Sequence, residues 1–294
     1  MNILSVAGLS KSFGANKVID GISFDVPEGS VFGFIGANGT GKTTTMNMAL
    51  GFLEIDSGEI IVCGEKVSYG RTIKSIGYLP DVPEFYNYMR PMQYLSLCGE
   101  LSGMTRAKIK ERSGELLELV GLTNANRKIG GFSRGMKQRL GIAQALLGEP
   151  KLLICDEPTS ALDPLGRKEI LDVLTAVKGQ TTVIFSTHIL SDVERICDRA
   201  AILHGGKIAL SGTLAQLKQR HADSYIVEFS AQSDIEKFTA SLNREDFVIS
   251  ENMVTVSNTD GGLLLSVLSE NKLLPIKFEL LEPTLESLYL EVAV

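Results

Sequence analysis

One eight-residue segment constrains this chain more than any other: Gly36-Ala37-Asn38-Gly39-Thr40-Gly41-Lys42-Thr43, which fits G-x-x-x-x-G-K-[ST] in full. It follows VFGFIG (31–36), a short apolar run bounded by glycines that reads as a buried strand, and it opens a segment that reads as helix from Lys42. Glycines at this spacing let backbone N–H groups turn inward around phosphate oxygens, and the following helix points its positive end at the same anion. Lys42 is expected to pair with β and γ phosphates, and the Thr43 hydroxyl to hold Mg²⁺, which prefers hard oxygen ligands. Gly36, Asn38, Gly39, Thr40, Gly41 and Thr44 complete the expected phosphate-binding set. A tight glycine turn with no ligand is the competing reading. The order strand, loop, lysine, helix disfavours it.

A second element must complete such a site. LLICDE (152–157) is an apolar strand ending in two carboxylates. Asp156 is expected on the metal, and Glu157, one residue on, is placed to polarise an attacking water. His188 follows the strand pattern TTVIFST, where an imidazole could contact the γ-phosphate and orient that water. An acidic pair at a strand end is common, and so is a histidine at a sheet edge. Their position downstream of a phosphate loop gives them weight.

Patterning frames these motifs. Short apolar strands (Ile19 to Val26, 31–36, SIGYLP, KLLIC, TTVIF) alternate with helices, which predicts an α/β fold with a mostly parallel sheet. AAILHGGKIAL (200–210) reads as two strands around Gly205-Gly206. Residues 84–147 differ. They carry helical spacing (Ile109, Leu116, Leu117, Val120, then Met136, Leu140, Ala143, Leu147) and little strand character, so they read as a helical insert. A helix is expected from Pro164 to about Lys178. From about residue 223 a smaller α/β unit follows, with strand, helix, hairpin, helix, strand and helix in turn. No internal repeat is evident.

Composition removes other classes. The 294 residues hold 29 Lys plus Arg against 35 Asp plus Glu, a net charge of −6, which argues against coating nucleic acid. The longest runs free of these charges, 29–41 and 179–191, are 13 residues, and a membrane-crossing helix needs about 20. The start shows no secretory pattern. Cys63, Cys98, Cys155 and Cys197 are far apart, and His188, His204 and His221 do not cluster with them, so reduced thiols are expected rather than a zinc site or a disulfide framework.

Several segments in order now resemble the ATP-binding cassette (ABC) family. Phe132-Ser133-Arg134-Gly135-Met136 resembles its signature, and Ser133 lies 23 residues before Asp156. Ser160-Ala161-Leu162-Asp163 resembles its D-loop, Ser186-Thr187-His188 its switch histidine, and Phe13 the ring it stacks on adenine. With the phosphate loop and the acidic strand end, the likeness covers residues 1–222. It implies a P-loop NTPase cassette with a mixed sheet core, a helical insert subdomain and, at 223–294, a small C-terminal α/β domain. It further implies ATP and Mg²⁺ as ligands, with Phe13, Ser133, Gly135 and Asp163 contacting nucleotide. Two cassettes would meet head to tail, each ATP lying between one phosphate loop and the other chain's signature, and hydrolysis would remove part of that interface.

The chain departs from the family pattern in two places. The usual signature is LSGGQ, of which the hydroxyl and second glycine remain, while Arg134 adds a cation. Asp81 stands where the family has a glutamine, and its carboxylate is expected to bind Mg²⁺ or water. These departures and the tail containing Glu282-Pro283-Thr284-Leu285-Glu286 resemble export-type cassettes encoded apart from their membrane subunit. The resemblance therefore implies an ATPase subunit powering a membrane exporter, cytoplasmic and peripheral on the inner face of the cell membrane. Its partners would be a separate transmembrane permease subunit and a second cassette, with no nucleic acid. Phe85, Tyr86, Tyr88 and Met92 would meet the permease. The alternative, a soluble ABC ATPase acting on ribosome or DNA, is opposed by the single cassette. Only 114 residues separate Lys42 from Asp156, with no sustained heptads. A guanine reader is absent too: Asn16-Lys17-Val18-Ile19 lacks the Asp and precedes the phosphate loop. Residues 223–294 are expected to tune dimerisation or partner choice, or to act as a stabilising cap.

Overall fold

A computed structural model describes residues 1–219, 224–242, 246–257, 259–281 and 284–293. The alternating start forms two long antiparallel strands, β1 (Asn2–Phe13) and β2 (Asn16–Pro27). The VFGFI run is β3 (Val31–Ile35), with every residue buried, as expected for a strand covered on both faces. Helix α1 (Lys42–Ala49) begins directly after Gly41. A short hairpin, β4 (Ser57–Val62) and β5 (Glu65–Lys66), comes next, and SIGYLP gives β6 (Ile76–Leu79). The insert consists of α2 (Pro91–Leu101), α3 (Arg106–Leu119) and α4 (Arg134–Leu146). Then β7 (Leu152–Asp156), α5 (Pro164–Ala176), β8 (Thr182–Thr187), α6 (Leu190–Ile196), β9 (Arg199–His204), β10 (Lys207–Thr213) and α7 (Leu214–Gln219) follow.

These strands form two sheets. The larger has the order β10-β9-β3-β8-β7-β6, parallel from β9 to β6, with β10 antiparallel on its edge. The core sheet is therefore mixed. The smaller sheet is β2-β1-β4-β5 and wholly antiparallel. Phe24 of β2 stacks on Phe32 and Phe34 of β3 at 5.7 and 5.1 Å between ring centroids, joining the two sheets through one core. Met46 and Met48 of α1 enter that core beside Ile60, Val62 and Ile154. Anchoring α1 in this way fixes where the phosphate loop emerges.

The helices have local causes. Ser133 Oγ accepts from Met136 N at 3.2 Å and caps α4, and Asp163 Oδ1 accepts from Gly166 N at 3.1 Å and caps α5, with Pro164 in its first turn. The hairpin β4–β5 and the helices α6 and α7 carry no expectation from the sequence, and α2 lies inside the expected helical insert without bounds of its own. Helix α6 spans seven residues, less than two full turns, too few for a 3.6-residue period to declare itself. In α2 the buried positions Pro91, Tyr94, Leu95 and Gly99 include a proline and a glycine, which thin out its apolar stripe.

The chain divides into two compact units, Met1–Leu214 and Ala215–Val294. The boundary expected at 222/223 falls outside the described residues, as do His221, Glu282 and Pro283. The second unit contains β11 (Ser224–Glu228), α8 (Gln232–Ser241), β12 (Phe247–Ser250), β13 (Met253–Val256), α9 (Gly261–Glu270), β14 (Lys277–Leu281) and α10 (Leu285–Ala293). Its sheet is antiparallel, in the order β12-β13-β11-β14, around its own core of Val227, Phe229, Phe238, Val254 and Leu264. No described helix is long and apolar enough to cross a membrane.

Candidate active site

The site is built where β3, β7 and β8 end side by side. Parallel pairing sets Ile35 beside Thr187 and Asp156 beside Ser186, so three strand ends deliver their polar residues to one place. The phosphate loop follows β3 without slack. Gly41 takes φ +106°, a left-handed conformation that suits glycine, and a Cβ there would also strike Ile19 of β2. Gly36 is required for a different reason: a Cβ on it would lie 2.5 Å from Thr40 Oγ1 and 2.8 Å from the Leu203 carbonyl oxygen. Asn38, Gly39, Gly41, Lys42, Thr43 and Thr44 share one concave surface with Asp81, Asp156 and Glu157.

Lys42 is only 5 % exposed, and its ammonium meets three oxygens. Its Nζ donates to the carbonyls of Gly36 at 2.8 Å and Ala37 at 3.1 Å and lies 3.1 Å from Glu157 Oε1. Glu157 is 9 % exposed and takes φ +47°, a left-handed conformation that a non-glycine residue adopts at a cost. Hydrogen bonds hold it there: its N–H donates to the Ser186 carbonyl and to Ser186 Oγ, both at 3.1 Å. Its other oxygen, Oε2, is 2.9 Å from His188 Nδ1. A carboxylate only accepts, so His188 carries its proton on Nδ1 in this contact. Asp156 is 3 % exposed, and its Oδ1 accepts from Ser186 Oγ at 2.5 Å.

Ser186 is thus a hub that the sequence alone does not reveal. Its hydroxyl donates to Asp156 and accepts from Glu157, fixing both carboxylate residues at once. The available signal is a hydroxyl residue directly after the apolar run Val183-Ile184-Phe185 of β8. A second support lies behind the loop after Glu157. Thr159 Oγ1 donates to Asp192 Oδ2 at 2.7 Å, and Arg167 pairs with Asp192 Oδ1 at 2.7 Å.

The site fits a magnesium ion by its donor set. Thr43 is exposed, and among the described residues its hydroxyl makes no hydrogen bond. Asp156 adds a carboxylate on the same concave surface. Glu157 Oε1 is buried and lacks a hydrogen-bond partner among the described residues, because its contact with Lys42 is one of charge rather than aligned donation. Oxygen ligands beside a lysine and a glycine cradle suit a hard cation carried on a polyphosphate.

Other expected residues lie elsewhere. Phe13 ends β1 with its ring half exposed, and Lys11 Nζ stands 5.7 Å from the ring centroid. Ser133, Gly135 and Asp163 do not line the concave surface within the chain. A Cβ on Gly135 would meet only Leu162, at 3.9 Å, so the backbone there is open. Asp81, expected on the metal, does line the surface, but its Oδ1 accepts from Ser160 Oγ at 2.5 Å and from Arg134 Nη2 at 3.3 Å. Two donors thus engage one oxygen of the Asp81 carboxylate. Among the residues expected to meet a partner, Tyr86, Tyr88 and Met92 are exposed. Phe85 packs edge-on against Tyr94 at 5.0 Å.

Comparison with known proteins agrees with this geometry. The family model described as ABC transporter matches residues 19–160. The chain is similar to the ABC transporter ATP-binding protein YxlF of Bacillus subtilis, 40% identical over 296 residues, covering 99% of each chain. It is also similar to the Nod factor export ATP-binding protein I of a Rhizobium species, 38% identical over 229 residues, covering 76% of this chain and 75% of that one. A solved ATP-binding subunit of an ABC transporter superposes with a TM-score of 0.67 at 33% identity, covering 74% of this chain and 92% of that one.

Proposed function

Since the chain belongs to the family of ABC transporter ATP-binding proteins, we propose that it powers an exporter whose membrane-crossing subunit is a separate chain. As a member it binds and hydrolyses ATP to drive transport, and subunits of this kind dimerise and work with permease partners. The observation that carries the catalytic reading is that Lys42, Asp156 and Glu157 share one concave surface with the phosphate loop, while His188 bonds Glu157.

In this reading the N–H groups of residues 38–44 wrap the β and γ phosphates, and Lys42 leaves its carbonyl partners to pair with them. Thr43 and Asp156 would hold Mg²⁺, which would supply positive charge to the phosphate oxygens. Glu157 orients the attacking water, and His188 fixes the direction of the Glu157 carboxylate. Phe13 offers its exposed ring to adenine. Ser133 and Gly135 act on ATP bound by a second cassette in a head-to-tail pair, with Asp163 at the same interface. The open backbone at Gly135 and the start of α4 supply N–H groups for the γ-phosphate.

Export is supported by the departures at residues 81 and 132–136 and by the likeness to a protein named for Nod factor export. The chain then works on the cytoplasmic face of the membrane, with the exposed Tyr86, Tyr88 and Met92 toward the permease. Residues 223–294 tune dimerisation or partner choice, and unchanged dimerisation and transport after their deletion would refute that role. The whole reading is tested by purifying the chain with its membranes in detergent. A multi-helix membrane protein should co-purify, and the pair should hydrolyse ATP only with Mg²⁺ present. A chain that hydrolyses ATP but captures no membrane protein would overturn the transporter assignment.

A further inference from the structure

The two departures from the family pattern meet in space. Arg134, the first residue of α4, reaches Asp81 just beyond β6, with Nη2 3.3 Å from Oδ1. The same nitrogen donates to Ser160 Oγ at 3.1 Å, and Ser160 Oγ donates to Asp81 Oδ1 at 2.5 Å, closing a triangle. One turn along α4, Gln138 Nε2 donates to the Asp81 carbonyl at 3.3 Å. Ser160 is tied in turn to the catalytic loop, because its N–H donates to the Glu157 carbonyl at 3.1 Å.

We propose that Asp81, Arg134 and Ser160 form a positioning latch that fixes the Ser133–Gly135 segment against the loop carrying Glu157. The physics begins with an unfavourable choice. A cation in the first turn of a helix opposes the positive end of its dipole, and α4 has no acidic residue of its own there. Asp81 supplies the missing anion from outside the helix. It answers both Arg134 and the helix end, so each departure compensates the other. Asp81 and Arg134 are each nearly half exposed, and a pair so placed adds little to global stability. Its effect is therefore on where α4 begins relative to Glu157. Asp81 also lies on the surface that carries Thr43, Asp156 and Glu157, so occupancy of the chain's own site bears on the signature segment. Asp81 thus acts on turnover through Arg134 and Ser160 and does not ligate the metal.

This inference rests on the ATPase reading, and the wild-type chain tests that reading separately. The experiment uses the full chain and measures steady-state ATP hydrolysis while ATP and Mg²⁺ are varied independently. Asp81→Ala and Arg134→Ala are each expected to lower kcat on the order of tenfold. KM for ATP and the Mg²⁺ requirement should stay within about twofold, and the double variant should be no slower than the slower single one. If either variant unfolds, Ser160→Ala should show the same loss, and Ser160→Thr, which keeps the hydroxyl, should recover it. A raised Mg²⁺ requirement in Asp81→Ala alone, losses that multiply in the double variant, or unchanged kcat throughout would each overturn the latch. A wild-type chain without Mg²⁺-dependent turnover would instead overturn the ATPase reading.

Discussion

Lys42 Nζ and Glu157 Oε1 stand 3.1 Å apart, with both side chains almost wholly buried. The lysine therefore contacts the group expected to orient water while it also holds its own loop through the carbonyls of Gly36 and Ala37. A polyphosphate entering the cradle competes for that lysine and leaves the carboxylate with His188 as its partner. Binding and the positioning of the water-orienting group are thereby linked through a single ammonium.

Glu157→Gln keeps the shape of this side chain and removes its basicity. ATP should still bind, and turnover should fall on the order of a hundredfold or more. An ATP-bound dimer should accumulate, visible as a shift in elution volume when ATP is present. Turnover at the wild-type rate would remove Glu157 as the water-orienting group. Lys42→Ala should instead weaken nucleotide binding itself, measured by titration with a fluorescent ATP analogue.

Ser186→Ala removes one hydroxyl that serves two residues. Asp156 loses its 2.5 Å donor, and the Glu157 N–H keeps only the Ser186 carbonyl. Leaving a buried polar group short of its partner costs about 1–3 kcal/mol. Denaturant unfolding should report that loss, and the Mg²⁺ concentration needed for half-maximal turnover should rise because Asp156 is no longer held. Unfolding and Mg²⁺ curves that overlay those of wild type would show that Ser186 supports neither carboxylate.

The parts of the site that were legible in the sequence are those whose chemistry is local in the chain. The loop from Gly36 to Thr43 declares itself because strand, turn and helix follow one another directly, and Asp156 and Glu157 are read from the apolar strand they end. The capping hydroxyl of Ser133 and the Asp163-Pro164 helix start are local in the same sense. Ser186 and the contact of Arg134 with Asp81 were not legible, because they bring together residues 30 and 53 positions apart and no periodicity encodes a partner at that range. Asp81 was expected on the metal from its place in the chain, and only the structure shows its carboxylate meeting Arg134 and Ser160. The hairpin β4–β5 escaped for another reason: its second strand has two residues, Glu65 and Lys66, both exposed and polar.

Gly36→Ala tests the cradle. The added Cβ would sit 2.8 Å from the Leu203 carbonyl, a backbone atom of the neighbouring strand that cannot swing aside, and 2.5 Å from Thr40 Oγ1. Overpacking of this kind costs about 1–3 kcal/mol and forces the loop to shift. Both stability and ATP affinity should fall together, whereas a substitution at the exposed Asn38 should change affinity with unfolding unaltered. Normal ATP affinity in Gly36→Ala would show that the loop tolerates displacement and is no tight cradle.

The end of β1 that carries Phe13, proposed to stack the base, has a pH signature of its own. Asp56 Oδ1 accepts from Lys11 Nζ and Oδ2 accepts from the Ser12 N–H, each at 2.7 Å, and Ser12 precedes Phe13. The Lys11 hydrogen bond first, and the Ser12 N–H second, hold the Asp56 carboxyl below the usual aspartate range. A carboxyl whose folded pKa is depressed stabilises the fold above its unfolded pKa, about 3.9 for aspartate, and loses that contribution as pH falls through the lower folded value. At neutral pH the wild-type chain should therefore unfold at higher denaturant than Asp56→Asn, and the gap should close as pH drops below about 4. The same variant frees the β1 end that carries Phe13. KM for ATP should then rise while kcat holds, because the ring proposed to receive the base is held less firmly. A stability gap that stays constant from neutral pH down to about 3 would mean that Asp56 acts there through shape rather than charge.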